Sequence, residues 1–317
     1  MSALRNNLRR LVRFLVVILG ASILIFLLTG NITGNAAAEA VSSTGAEITK
    51  ENIAAMESKL GLDQPLYLRY FRWMRDVVFR ADFGTSYITG ESVVKELACR
   101  VPATVELTAY AFLLTLAVSI PAGILMAVRD RKLDERLAQA VSFSFMGIPT
   151  FVLGLLLAYV ISVKLKWVKM IGFDSPELKI LPTVTLAVPM ICKYSRMIKA
   201  NVLSSLGEEY VYLLRTKGIR KNIILFRNVL KNAFLPMISI LGLGIGHMLG
   251  GAVVVENIFS IPGLGSFLSL SINRRDYPVI QAYILLMTVV FLLINFIVDT
   301  VTVLLDPRIR LNGAIKR

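Results

Sequence analysis

The chain is poor in the residues that carry most chemistry: one histidine, two cysteines and two tryptophans in 317 residues. A single His247 excludes a histidine-rich metal cluster. Cys99 and Cys192, with two apolar spans between them, are badly placed for a disulfide and cannot hold a metal alone. No glycine-rich loop ending in Gly-Lys-Ser or Gly-Lys-Thr occurs, so the chain has no P-loop for ATP. Nor does any nucleophile–base pair stand out. Acid is scarce too: 21 Asp and Glu against 35 Lys and Arg leave a net charge of +14. That surplus lies between apolar runs and not on a polar domain, which points to membrane topology and away from nucleic acid.

Apolar residues are what the chain has in quantity, 56% of the total. Runs of about 20 such residues match the roughly 30 Å hydrocarbon core of a bilayer. Six spans are expected, at 11–29, 103–128, 137–163, 180–200, 233–255 and 279–305. Six spans put both termini on one side. That side, with residues 129–136 and 193–232, holds 21 Lys and Arg against 14 on the other, and with acids included the balance is +15 against +1. Both termini are therefore expected in the cytosol, although Lys164, Lys166 and Lys169 then fall outside. Residues 1–40 also resemble a cleaved signal peptide, with Arg5, Arg9, Arg10 and Arg13 ahead of an apolar core and "NAAAEA" beyond it. The apolar run reaches Leu28, long for a signal core, so an uncleaved first span is the preferred reading.

The external segment 31–100 is the one sizeable polar region. Thr49 is placed to cap a short helix that Gly61 stops, and Pro65 suits the first turn of another, with Asp63 as a cap candidate. In that second helix Leu66, Tyr70, Phe71, Met74, Val77 and Val78 follow helical spacing, with Arg69, Arg72 and Arg75 set against them. Such a helix suits a membrane surface or a pore mouth.

Between spans four and five, Lys193, Arg196 and Lys199 can snorkel to the interface. Tyr210, Val211, Leu213 and Leu214 then make an apolar face, Gly218 supplies a break, and a second short helix is expected with Ile223, Ile224, Phe226 and Leu230 apolar. Pro236 is expected to open span five. Two readings stay open for the segment: an amphipathic helix resting on anionic membrane lipid, or a docking element for a soluble partner. In span five Gly242, Gly246 and Gly250 recur every four residues, a spacing that lets backbones approach closely, within the chain or against another. His247 beside them is either a substrate-path group or a structural one. Glu106 reads as structural support, and Asp299, roughly 10 Å inside the end marked by Asp306 and Pro307, as one half of an ion pair. Glu256, Pro262, Gly263 and Gly265 mark a sharp turn outside the membrane.

"EEYVYLLRTKG" followed by "LKNAFLP" resembles the coupling-loop signature of permease subunits of binding-protein-dependent ABC importers, and more narrowly of the dipeptide/oligopeptide/nickel permease family. "LGLDQPLYLRYFRWM", "DFGTSY", "PATVEL", "VVVENIFSIPGLG", "RDYPVIQAY" and "LLDPRIR" extend the resemblance along nearly the whole chain. It implies an all-α membrane protein with six transmembrane helices: a cytosolic N-terminus and first span over 1–30, an external helical loop over 31–100, a five-helix core over 101–305 with its coupling loop at 201–232, and a cytosolic tail over 306–317. It also implies a prokaryotic inner membrane, a second homologous permease, two ATP-binding subunits carrying ATP and Mg, and an extracytoplasmic substrate-binding protein. This chain itself would bind no cofactor and catalyse nothing.

Glu209, Tyr210, Arg215, Lys217 and Gly218 are the implied ATPase contacts. The family's Glu-Ala-Ala triplet is absent, its place reading Tyr212, Leu213, Leu214. Glu256, Pro262, Gly263 and Gly265 would help form an outer gate. Peptides, nickel and nickel chelates all belong to the family's range, and "DFGTSYITGESV" and "NRRDYPVIQAY" lean to the metal branch. An ion-gradient-driven transporter is the rival, but the paired broken helices and inverted repeats it needs are not evident.

Overall fold

Residues 2–30, 36–43, 46–61, 63–168 and 173–305 are described by a computed structural model. Helix accounts for almost all of them, and the sole strand-like feature among them is an isolated bridge between Thr85 and Ser92. In chain order the helices are α1 (Ser2–Gly30), α2 (Ala36–Ser43), α3 (Lys50–Leu60), α4 (Leu66–Arg80), α5 (Val93–Ala98), α6 (Val101–Val128) and α7 (Leu133–Gly147). There follow α8 (Thr150–Leu157), α9 (Pro176–Leu206), α10 (Glu209–Thr216), α11 (Lys221–Ile223), α12 (Leu230–Ile258), α13 (Leu264–Asn273) and α14 (Tyr277–Leu305). Lys169, the Asp306–Pro307 stop and the tail over 306–317 lie outside the described residues.

Two compact units divide the chain. One comprises Met1–Pro102 with Pro262–Leu292, the other Ala103–Ile261 with Leu293–Arg317.

In the first unit, α3 starts as expected: the Asn52 N–H donates to Thr49 Oγ1 at 3.2 Å, and Gly61 closes the helix at φ +66. α4 differs from expectation. Pro65 itself occupies the cap position without a side-chain bond, so Asp63 does not cap it. α4 lays Tyr70 and Trp73 against Phe26 of α1, with Phe26–Tyr70 and Phe26–Trp73 centroids 5.4 and 5.8 Å apart. Its Phe71, Val78 and Phe79 stay exposed. Val93 and Leu97 of α5 pack on Leu264 and Phe267 of α13 and on Val279 and Tyr283 of α14. A polar latch joins the ends of this unit. The fully buried Asp276 carboxylate accepts the Ser86 hydroxyl and, at 3.1 Å, the Tyr87 N–H.

In the second unit α9 packs on α7, α8 and α12. One apolar cluster gathers Leu107, Ala111, Leu181, Leu186, Met248, Ala252 and Val255; another gathers Tyr194, Ile198, Val202, Val211, Ile224, Val229 and Met237. Close approach between α6 and α9 needs Gly123, where a Cβ would stand 2.6 Å from the Ile198 side chain.

Among the described residues, four helical stretches are long and apolar enough to cross a membrane: Val12–Thr29, Val93–Val128, Lys221–Ile258 and Tyr277–Leu305. A fifth arises if Leu133–Gly147 and Thr150–Lys164, bent by 104°, are one span. Within the expected span over 137–163 the helix breaks, giving a bent pair. Pro149 removes a backbone donor and biases Ile148 to extended backbone, which separates the two helices. The expected second short helix after Gly218 is also corrected. From Lys221 the chain runs through a π-helical stretch, Ile224–Val229, straight into α12, with Pro236 inside the helix and not at its start. α9 falls short of the apolar requirement because it carries Lys179, Lys193, Arg196 and Lys199.

Burial pushes the Asp276 carboxyl above the usual range, with the bonds from Ser86 and Tyr87 opposing it. Burial likewise pushes the Tyr87 phenol up to about 12. A raised carboxyl stabilises most below its unfolded pKa, near about 4, and that contribution is lost as pH rises through the higher folded value. Wild type is expected to gain more melting temperature over Asp276→Asn at acid pH than at mildly alkaline pH. An identical difference at both pH values would refute this.

Candidate functional site

The helix after α9 is held from one side only. Val211 of α10 is 1% exposed and joins the cluster of Ile198, Val202 and Ile224, with Tyr210 and Leu214 packed around it. Asn232 Nδ2 donates to Tyr210 Oη at 3.2 Å, tying α10 to the first turn of α12. The opposite face is bare: Tyr212 and Leu213 are 70% and 59% exposed, and Glu209, Arg215 and Lys217 point away from the core. Leu213 therefore leaves the apolar face expected for it, because an eight-residue helix can turn only one stripe inward. Gly218 adopts φ +75 with nothing within 4 Å of a Cβ, so backbone conformation, not crowding, requires glycine here. The exposed ridge continues with Ile223 and Phe226, while Ile224 and Leu225 are buried. α10 thus presents basic, acidic and aromatic groups outward on a base anchored to both α9 and α12.

A buried ion cluster stabilises that base. Lys199 Nζ lies 2.6 Å from Glu135 Oε1 of α7 and 2.9 Å from Asp130 Oδ1 in the α6–α7 turn, with the Glu135 side chain 3% exposed. The Lys199 bond holds the Asp130 carboxyl below its ordinary range. Lys199 was expected to snorkel outward; it turns inward because it shares the helix stripe of Ser195, Ile198 and Val202. That spacing was the signal available in the sequence. Glu106 pairs with Lys179 at 2.6 Å, in keeping with a supporting role. Asp299 is exposed and makes no ion pair with a described residue.

Two of the glycines at four-residue spacing, Gly242 and Gly250, have different surroundings. A Cβ on Gly242 would lie 2.3 Å from Val298 of α14, while one on Gly250 would meet nothing within 4 Å. Ser239 Oγ and Thr302 Oγ1, 2.7 Å apart, mark the same α12–α14 contact. The tightest glycine in α12 is one the spacing missed: at Gly244 a Cβ would stand 1.8 Å from Tyr194 Oη. His247 is exposed, in an open stripe with Leu243, Gly250 and Val254.

The expected outer turn also separates into parts. Glu256 is fully buried and accepts the Thr104 hydroxyl at 2.6 Å, so it braces α12 against α6 inside the second unit. Ile261 N–H donates to the Glu256 carbonyl at 2.9 Å and ends α12. Pro262 is exposed, whereas Gly263 and Gly265 are buried at the start of α13, where Gly263 N–H and its carbonyl both meet Ser266 Oγ. Among the described residues no group of three or more His, Cys, Asp and Glu is placed to hold a metal ion.

With this geometry in place, comparison with known proteins is informative. Residues 119–311 match the family model "Binding-protein-dependent transport system inner membrane component", and residues 3–108 match "Binding-prot-dependent transport system membrane comp, N-term". The glutathione transport system permease protein GsiC of Escherichia coli (strain K12) is 35% identical over 302 residues, covering 95% of this chain and 97% of that protein. GsiC of Salmonella paratyphi A is 34% identical over 303 residues, covering 96% and 98%. Among solved structures, an inward-facing form of the MetNI methionine ABC transporter aligns with a TM-score of 0.55 at 16% identity, over 67% of this chain and 97% of that one. A second inward-facing form gives 0.57 at 19% identity, over 67% and 96%. At those identities the likeness is one of fold.

Gly244→Ala is expected to lower the melting temperature of the detergent-purified protein, since Tyr194 must move, at a cost of about 1–3 kcal/mol. Gly250→Ala, with open space around it, should stay within about 0.5 kcal/mol of wild type. Thermal unfolding of the two variants side by side checks this, and equal melting temperatures would contradict the packing described.

Proposed function

This chain belongs to the family of binding-protein-dependent transport system inner membrane components, and from that premise we propose how its parts divide the work of import. It is the permease of an ABC importer, an all-helical multi-pass inner membrane protein without catalytic function of its own. The finer reading has six spans with both termini cytosolic. α9 then crosses the membrane despite its polar content, because Thr183, Thr185, Ser195 and Lys199 are buried against protein and not turned to lipid. The bent pair α7–α8 supplies another crossing.

In this reading the exposed face of α10, with Glu209, Tyr212, Arg215 and Lys217, docks on an ATP-binding subunit, and Tyr210 and Gly218 hold its shape. The carrying observation is the one-sided anchoring of α10. Its inner face is locked to α9 and α12, so a push on its outer face moves both helices. ATP and Mg bind on two partner subunits. A second homologous permease faces the open stripe of Leu243, His247, Gly250 and Val254, which lines the path, and a substrate-binding protein docks on the external side at the turn containing Pro262, Gly263 and Gly265. Two bundle states, biased by nucleotide, give alternating access.

For substrate, the named relatives support a short peptide such as glutathione. The metal-branch leaning of "DFGTSYITGESV" makes nickel and nickel chelates the competing ligands. The test uses the complex purified through a tag on this chain. Arg215→Glu/Lys217→Glu is expected to leave the permease folded, since both side chains are exposed, and to lower ATPase-subunit retention by about tenfold or more. Retention at the wild-type level would sink the docking surface. In the wild-type complex with its binding protein, glutathione or short peptides should stimulate ATP hydrolysis. Stimulation by nickel chelates alone would overturn the peptide reading.

A further inference from the structure

We propose that a cavity in the first unit, where α4 crosses the ends of α1 and α14, holds the phosphate of an anionic phospholipid headgroup. The cavity measures about 330 Å³, in the range of small-ligand sites. Its position sets its depth. The apolar stretch of α1 ends at Thr29 and that of α14 begins at Tyr277, and Phe26, Thr29, Tyr277 and Gln281 all line the cavity. It therefore lies where two helices leave the hydrocarbon, at the level of the headgroups. The inference rests on the membrane reading of α1 and α14 and is independent of how transport is driven.

Donors and positive charge converge there without a matching anion. Arg69 and Arg72 both line the cavity, and neither forms an ion pair with a described residue. The acid in the wall, Asp76, is already engaged by Arg75 at 3.0 Å and Arg80 at 3.9 Å. Trp73, which also lines the cavity, has its Nε1 buried with no hydrogen-bond partner among the described residues. Burial pushes the Arg69 guanidinium below its ordinary range, the direction that an adjacent anion would reverse. Guanidinium pairs suit phosphate oxygens by their fork geometry.

The rest of the surroundings favour lipid over a free anion. Phe26, Trp73, Tyr87 and Tyr277 give the cavity apolar walls fit for a glycerol backbone. Tyr67, Phe71, Val78 and Phe79 of α4 are 62–82% exposed, as expected of a helix lying in the membrane interface.

The test reconstitutes the full transporter in phosphatidylcholine containing a minor fraction of phosphatidylglycerol, then counts phosphatidylglycerol retained after mild delipidation by native mass spectrometry. Two arginines at a membrane surface contribute about 2 kcal/mol, so Arg69→Gln/Arg72→Gln should retain about thirty-fold less phosphatidylglycerol. Lys50→Gln, an exposed cation on α3 outside the cavity, should retain it like wild type. Equal retention by wild type and the double variant overturns the proposal. Displacement by excess inorganic phosphate assigns the site to free phosphate, and displacement by glutathione assigns it to substrate; either outcome overturns the lipid. A second readout needs no arginine change. Trp167→Phe leaves Trp73 as the single tryptophan, and its emission should shift when phosphatidylglycerol replaces pure phosphatidylcholine. An unchanged spectrum refutes the site.

Discussion

A backbone that crosses hydrocarbon must satisfy its own N–H and C=O groups, and nearly every other feature of this protein follows from that constraint. It restricts the crossing segments to helices and leaves side chains to settle which face meets lipid. Many of the polar side chains on those helices turn toward protein, although His247 and Asp299 are exposed. Thr104 with Glu256, and Lys199 with Glu135 and Asp130, are two solutions to the same problem, each giving a buried charge a partner elsewhere in the bundle, while the Glu106–Lys179 pair is partly exposed. These pairings also fix which helices are neighbours, because removing one member strands the other away from water.

In the second unit such pairings join successive helices into one packed block. α9 is clamped by its ion cluster to α7 and to the α6–α7 turn, and it is close-packed on α6 at Gly123 and on α12 at Gly244. α10 grows from the end of α9 and is tied to α12 by Val211 and by the Asn232–Tyr210 bond. α10 therefore has one locked face and one bare face. Beyond the turn at Gly218, the π-helical stretch Ile224–Val229 runs into α12 without a further break.

Much was legible in the residues. Apolar runs located the four long apolar helical stretches, Thr49 and Gly61 bounded α3, and Gly218 marked the left-handed turn, because each depends on local chemistry alone. The charged run around Asp130, Asp134 and Glu135 read as an ordinary turn, and Lys199 read as a snorkelling cation. Their pairing spans 64 residues of chain between Glu135 and Lys199, beyond the reach of any local pattern. Regular glycine spacing likewise drew attention to Gly242 and Gly250, while Gly244 has the closest neighbour.

The sequence by itself determined that the chain is helical, membrane-embedded and without an ATP site, since length, hydropathy and absent motifs require no neighbours to interpret. It also placed α10 between two long helices. Only the tertiary structure decided that α7 and α8 meet at a 104° bend, that Glu256 and Lys199 point into protein, and which face of α10 stays bare. Those outcomes depend on which atoms lie across from a side chain, and helix periodicity specifies direction around an axis but not what waits there.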